Sequence, residues 1–83
     1  MSNDLPSPQK LAWMCRRGLL ELDILLTRLR ENVYPELSDM DKQHFCTMLE
    51  IQDPKLLRYL MGQESPDTVA DPAVQALIIR LAA

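Results

Sequence analysis

One short segment of this sequence combines residue types that suit recognition of another protein. Residues 15–23 read CRRGLLELD, with two arginines before a glycine and two acids after it. If the turn after Gly18 is nearly helical, Arg17 and Glu21 lie four residues apart on one face. Such an exposed pair contributes only roughly 0.3–0.5 kcal/mol to stability. A guanidinium and a carboxylate also offer fixed donors and acceptors to a partner, so the spacing indicates a recognition surface.

The neighbouring residues extend this predicted surface. Gly18 has no side chain to keep a partner's backbone away. Trp13 lies four residues before Arg17 and adds a flat apolar group of the kind common at interface hot spots. The candidate partner-binding residues are therefore Trp13, Arg16, Arg17, Gly18, Glu21 and Asp23.

The same residues also have a purely structural interpretation. Arg16 and Arg17 at the end of one helix complement the negative end of its dipole, and Glu21 complements the positive end of the next. Trp13 would then pack in the hydrophobic core. Residue chemistry alone leaves both interpretations open.

Other candidates for chemistry are weaker. His44, the single histidine, lies near Asp41 and Lys42, and we expect it to be solvated. Neither a G-x-S-x-G motif nor a glycine-rich phosphate loop occurs. Cys15 and Cys46 are far apart and form no C-x-x-C, so no metal site is expected. We predict free, partly buried thiols in a reducing compartment.

Length and charge narrow the function classes. With 83 residues and 9.5 kDa, the chain has room for one small domain but not for a substrate cavity with its supporting shell. A stand-alone enzyme is therefore not expected. The net charge of −3 argues against nucleic-acid binding, including by a helix-turn-helix. Residues 1–30 nevertheless hold five bases against three acids, a local basic region that suits a specific protein partner.

The sequence shows no recognisable targeting signal, which favours a cytoplasmic location. The first residues lack the basic start and apolar run of a signal peptide and the arginine-rich pattern of a transit peptide. Apolar runs are far too short to span a membrane. We therefore expect a cytoplasmic protein without membrane insertion.

Hydrophobic periodicity and capping signals predict an all-α fold, a compact bundle in a single domain over residues 1–83. Residues 1–7 are expected to be flexible, and 63–70 to form a loop. Proline follows a capping residue at Ser7, Asp53 and Asp71, and Gly18 and Gly62 are suited to left-handed helix stops. The five predicted helices cover about residues 8–17, 19–33, 39–51, 54–61 and 72–82.

The second predicted helix has the strongest apolar face. Its leucines recur at helical spacing, and Leu20 and Ile24 widen that face. We therefore expect this helix to be the central one.

In this context the segment resembles a known family. The pattern W-x-C-R-R-G-x-x-E-L-D is similar to the R-G-x-x-E signature of the small FAD assembly factors for succinate dehydrogenase. The likeness covers roughly residues 13–61 and continues through Leu37-Ser38-Asp39, Phe45, Leu49-Glu50, Asp53, Leu56 and Leu60.

The resemblance implies a protein that is not an oxidoreductase itself. It would bind the flavoprotein subunit of succinate dehydrogenase, and that of fumarate reductase, and promote covalent attachment of FAD to a histidine there. FAD would belong to the client, and the factor would work as a monomer without a cofactor. The signature role falls on Arg17, Gly18 and Glu21, with Arg16 and Asp23 beside them. Some bacterial members have been described as antitoxins, so the alternative is a regulatory module of a toxin–antitoxin pair.

Overall fold

Helices form all the regular secondary structure of the computed structural model, which describes residues 5–82. The predicted all-α fold is confirmed. The prediction that residues 1–7 are flexible falls partly on residues 1–4, which lie outside the described residues. The elements are α1 (Pro8–Met14), α2 (Leu20–Asn32), a short 3-10 helix (Tyr34–Glu36), α3 (Asp39–Met48), α4 (Asp53–Leu60) and α5 (Pro72–Ala82).

Most helix starts follow the capping signals of the sequence. The hydroxyls of Ser7 and Ser38 each accept a hydrogen bond from the backbone N–H three residues later, at 3.2 and 3.1 Å. Asp71 accepts one from the backbone N–H of Ala73 at 2.9 Å. The Asp53 prediction is wrong, because Asp53 is the first residue of α4 and its carboxylate binds Arg17 instead of capping the helix.

Two helices end earlier than the periodicity predicts. α1 stops at Met14 instead of residue 17, and α3 at Met48 instead of residue 51. Carbonyls at a helix end need partners from outside the helix. Here the carbonyls of Met14, Leu49 and Ile51 accept hydrogen bonds from Arg17, which stabilises both early stops.

The core lies between α2, α3, α4 and α5, with α5 packed on both α3 and α4. α2 lies against the 3-10 helix and α4 and buries one narrow stripe. The expectation that Leu20 and Ile24 widen its buried face is wrong, since they are 73% and 51% exposed. α2 therefore covers one side of the core, and the prediction that it is the central helix is wrong. The buried side chains of this hydrophobic core are Leu11, Cys15, Leu22, Leu26, Leu29, Phe45, Met48, Leu49, Leu56, Tyr59, Leu60, Val74, Leu77 and Ile78.

The connection from α4 to α5 has no helix but is held to the core. Gly62 has a φ of 72°, as predicted for a left-handed stop. Pro66 is buried, and the Tyr59 hydroxyl lies 2.8 Å from the hydroxyl of Thr68. The side-chain amide of Gln75 donates to the backbone carbonyl of Val69. These contacts order the loop predicted for residues 63–70.

The two cysteines are free thiols at different depths. Cys15 is buried and Cys46 is partly buried. Burial raises the pKa of both thiols, and it also raises the pKa of the Tyr34 phenol beside Cys46. All three groups therefore stay neutral near pH 7.

Removing the Tyr59 hydroxyl should show how much the α4–α5 connection contributes to stability. Tyr59→Phe should lower the free energy of unfolding by about 1 kcal/mol, because one partly buried hydrogen bond is lost. Urea denaturation measures this change. Thr68→Val should cost a similar amount, and the double variant should add little to either single change. Fully additive losses would show that the two hydroxyls do not act as a pair.

Alkaline pH should destabilise the fold. The pKa of Cys15, Cys46 and Tyr34 is raised in the folded state, so their stabilising contribution is complete below the unfolded values of about 8.5 for thiols and 10 for tyrosine. It is lost as the pH rises through the folded values. The urea midpoint should therefore fall from pH 7.5 to pH 10 or so, and fall less in Cys15→Ala/Cys46→Ala. An equal fall in both proteins would contradict this assignment.

Candidate functional site

The predicted recognition segment forms the turn between α1 and α2. Gly18 has a φ of 80°, and Leu19 is extended with φ −116° and ψ 109°. The turn is therefore not helical, and the expected pairing of Arg17 with Glu21 across one helical face is wrong. Instead, these two side chains have separate roles.

The Arg17 side chain points into the molecule and is only 14% exposed. Its Nε donates to Oδ1 of Asp53 at 2.8 Å. Its Nη1 donates to the carbonyls of Leu49 at 2.7 Å and Met14 at 3.4 Å, and Nη2 donates to that of Ile51 at 2.9 Å. We call this set of contacts the Arg17 clasp. It joins the end of α1 to the connection between α3 and α4.

Asp23 fixes the turn from the other side. Its carboxylate, in the first turns of α2, accepts hydrogen bonds from the backbone N–H groups of Arg17 and Gly18, the latter at 3.3 Å. An acid at the start of a helix is also favoured by the helix dipole. Asp23 therefore holds the turn, and like Arg17 it uses its polar atoms within the chain.

The remaining signature residues face outward. Trp13 is 72% exposed, so its alternative assignment to the core is wrong. The Arg16 guanidinium lies 5.9 Å from the centre of the Trp13 ring, at the distance of a cation–π contact. Gly18 is exposed, and among the described residues other than its two chain neighbours no atom lies within 4 Å of where a Cβ would be. Glu21 is exposed and makes no side-chain hydrogen bond or ion pair with the residues that the structure describes.

We refer to Trp13, Arg16, Gly18 and Glu21 together as the motif corner. It offers an aromatic face, a cation, accessible backbone and an unpaired carboxylate. This combination of groups is typical of protein–protein contacts.

The other chemical features of interest are metal binding and the environment of the single histidine. Within residues 5–82, no group of three or more His, Cys, Asp or Glu side chains is placed to hold a metal ion. His44 lies 3.4 Å from Asp41, which also pairs with Arg80 at 3.3 Å. It is half-buried, less solvated than predicted. No helix among these residues has the length and apolar character needed to cross a membrane.

Sequence reasoning missed Asp53 as a partner of the motif. The Asp-Pro pair suggests a helix cap, and the nearest bases along the chain are Lys55 and Arg58. Arg17 is 36 residues away from Asp53. The carbonyls of Leu49 and Ile51 have no sequence signal at all, because every residue carries one.

Loss of the Arg17 clasp should be costly for so small a fold. Arg17→Met should lower the free energy of unfolding by about 2–4 kcal/mol, because it leaves the Asp53 carboxylate and the Leu49 and Ile51 carbonyls without their donor. Thermal and urea unfolding measure the loss. Arg16→Met is the matched control, and its exposed side chain predicts a change within about 0.5 kcal/mol. Equal changes in both variants would contradict the structural role of Arg17.

Comparisons with known proteins find relatives that are named FAD assembly factors. The FAD assembly factor SdhE of Shewanella oneidensis is 38% identical over 78 residues, covering 94% of this chain and 92% of the relative. That of Colwellia psychrerythraea is 41% identical over 73 residues, covering 87% and 80%. That of a Serratia species is 40% identical over 63 residues, covering 76% and 72%. No solved structure matches this chain.

The family comparison covers most of the chain. The model described as "Flavinator of succinate dehydrogenase" matches residues 9–82, which include both the motif corner and the Arg17 clasp. The resemblance that the sequence indicated is therefore confirmed, and the chain belongs to the family of succinate dehydrogenase flavinators, with FAD assembly factors as relatives.

Proposed function

We propose that this protein is an assembly factor that binds the flavoprotein subunit of succinate dehydrogenase and promotes covalent attachment of FAD to it. Family membership supports this function, as do relatives named FAD assembly factor. The structural observation that carries the proposal is the exposed, unpaired Glu21 beside an open Gly18. A carboxylate in that setting keeps its acceptors available for a partner.

The binding surface is the motif corner. Trp13 provides apolar contact area, while Arg16 and Glu21 provide exposed charges of opposite sign on either side of Gly18 in the chain. Charges of both signs favour one complementary partner over a general polyanion. Gly18 lets the partner's backbone approach the turn, because no side chain stands there.

Such a factor acts without catalytic groups of its own. It binds the flavoprotein conformation that is competent for flavin attachment more tightly than the open conformation. A preference of about 2.7 kcal/mol changes the ratio of the two populations roughly a hundredfold. In this proposal the chain is not an enzyme, the flavoprotein supplies the groups that form the flavin–histidine bond, and FAD stays with that client.

A second client, the oligomeric state and the location in the cell belong to the same proposal. We also propose the fumarate reductase flavoprotein as a second client, a monomeric factor, and a cytoplasmic location. The two free thiols, Cys15 and Cys46, are consistent with a reducing compartment. The antitoxin alternative has no support from the relatives described above, all of which are named as FAD assembly factors.

Changing Glu21 tests the proposed function directly. In cells that lack the native factor, wild type should restore covalent flavin on the succinate dehydrogenase flavoprotein, seen as in-gel flavin fluorescence. Glu21→Ala should restore less than about a tenth of it, as expected if an interface hot spot of about 2 kcal/mol is lost. Its unfolding free energy should stay near that of wild type, because Glu21 is exposed and makes no side-chain hydrogen bond or ion pair within residues 5–82.

Glu36→Ala is the matched control for charge. Glu36 is also exposed, but it lies in the 3-10 helix outside the motif corner. This variant should restore flavin fluorescence fully. If Glu21→Ala also restored it fully, the motif corner would not be the working surface.

A further inference from the structure

The Arg17 guanidinium has almost no donors left for a partner. An arginine carries five N–H donors. Four of them are used inside the chain, to Asp53 and to the carbonyls of Met14, Leu49 and Ile51. The side chain is also largely buried. A bidentate contact to a partner's carboxylate or phosphate would require the clasp to open.

The clasp continues directly into the motif corner. The backbone of Arg17 and Gly18 donates to Asp23, which lies in the same helix as Glu21 and only two residues from it. Hydrogen bonds therefore connect the α3–α4 connection, through Arg17 and Asp23, to the first turn of α2.

Packing holds this turn on its Leu19 side, where that side chain lies against the core. Gly18 is exposed, and the space where its Cβ would stand is open. Gly18 has a left-handed φ, and because glycine has no side chain, its backbone is less restricted than that of any other residue. The position of the Gly18 side of the turn therefore depends on the hydrogen bonds of Arg17 and Asp23, which act in addition to the packing of Leu19.

We propose that Arg17 and Asp53 are positioning residues, which set where Glu21 meets the flavoprotein without touching the flavoprotein themselves. This inference rests on the proposed function and divides the signature into two parts. The motif corner makes the contacts, and the clasp holds it in place. Asp53, which lies outside the R-G-x-x-E pattern, thereby becomes part of the recognition apparatus.

Positioning and direct contact predict different coupling between variants. If two residues contact the partner independently, the losses of binding free energy caused by substituting each of them add up in the double variant. A residue that acts by placing Glu21 loses most of its effect once the Glu21 carboxylate is gone. A double-mutant cycle between Asp53 and Glu21 therefore separates the two roles, and Asp53 suits it because the substitution leaves the motif itself intact.

The experiment uses the purified flavoprotein subunit of succinate dehydrogenase before FAD has been attached covalently. The 83-residue chain is titrated into this subunit, and the Kd of the complex is measured. Asp53→Ala should weaken binding about tenfold in the wild-type background. In the Glu21→Ala background it should weaken binding less than about threefold. Arg17→Met should repeat this pattern. Asp53→Asn keeps an oxygen acceptor for Arg17 Nε, so it should recover part of the affinity and serves as the folded variant if Asp53→Ala does not fold.

A control for stability accompanies the cycle. Leu77→Val, in the buried face of α5, also lowers the unfolding free energy but lies outside the clasp. It should leave Kd within about twofold of wild type, because a destabilised but folded chain keeps its surface. Circular dichroism verifies that each variant is folded at the temperature of the titration.

The outcomes separate this inference from the function beneath it. If Glu21→Ala weakens binding while neither Asp53 variant does, or if the Asp53 and Glu21 losses are additive, the positioning role is overturned and the proposed function stands. If the wild-type chain does not bind the flavoprotein, or if Glu21→Ala binds as well as wild type, the recognition surface itself is overturned, and the positioning role falls with it.

Discussion

The contact of the Arg17 guanidinium with the α3–α4 connection is the interaction on which the recognition surface depends. It joins the end of α1 to the α3–α4 connection and to the start of α4, while the backbone N–H of Arg17 donates to Asp23 of α2. Arginine suits this place because its planar group donates in several fixed directions and remains charged. A lysine has one ammonium and would not reach three backbone carbonyls and a carboxylate in the same geometry.

This contact also explains how a domain with an apolar core obtains a defined polar surface. Within residues 5–82 the fully buried side chains are all apolar or weakly polar, and no charged side chain is fully buried. Close packing of such a core determines how the helices stack. In the turn around Gly18, Leu19 packs against this core. The polar groups of Arg17, Asp23 and Asp53 fix the rest of the path at the edge of the core, where their desolvation is only partial.

The signature therefore combines two physical requirements in a few residues. Its inward residues, Arg17 and Asp23, satisfy backbone groups that the early helix ends and the open turn would leave unpaired. Its outward residues, Trp13, Arg16 and Glu21, keep their aromatic and charged groups exposed on the surface, where a partner can reach them. A small factor that works by binding needs both the inward and the outward residues. If the carboxylate were loosely held, the entropy lost on ordering it would weaken binding.

Much of the architecture follows from local sequence. Ser7, Ser38 and Asp71 cap helices through bonds to backbone groups two or three residues away. Gly18 and Gly62 adopt left-handed backbone after helices, as their lack of a Cβ permits. The family signature is likewise contiguous, so the sequence alone indicated both the fold class and the family. These features depend on neighbours along the chain, which a sequence displays directly.

Tertiary structure decided which faces are buried and which charges meet. Three large apolar side chains of the kind expected in a core are exposed instead, namely Trp13, Leu20 and Ile24. The core is already filled by the opposite face of α2 and by α5. Arg17 pairs with Asp53 across 36 residues of chain, although acids much closer in sequence were available. Periodicity ranks residues by hydrophobicity and spacing, but it contains no information about how helices pack together. Burial and long-range pairing arise only when the helices are packed, so this level of structure determined which signature residues hold the turn and which remain exposed.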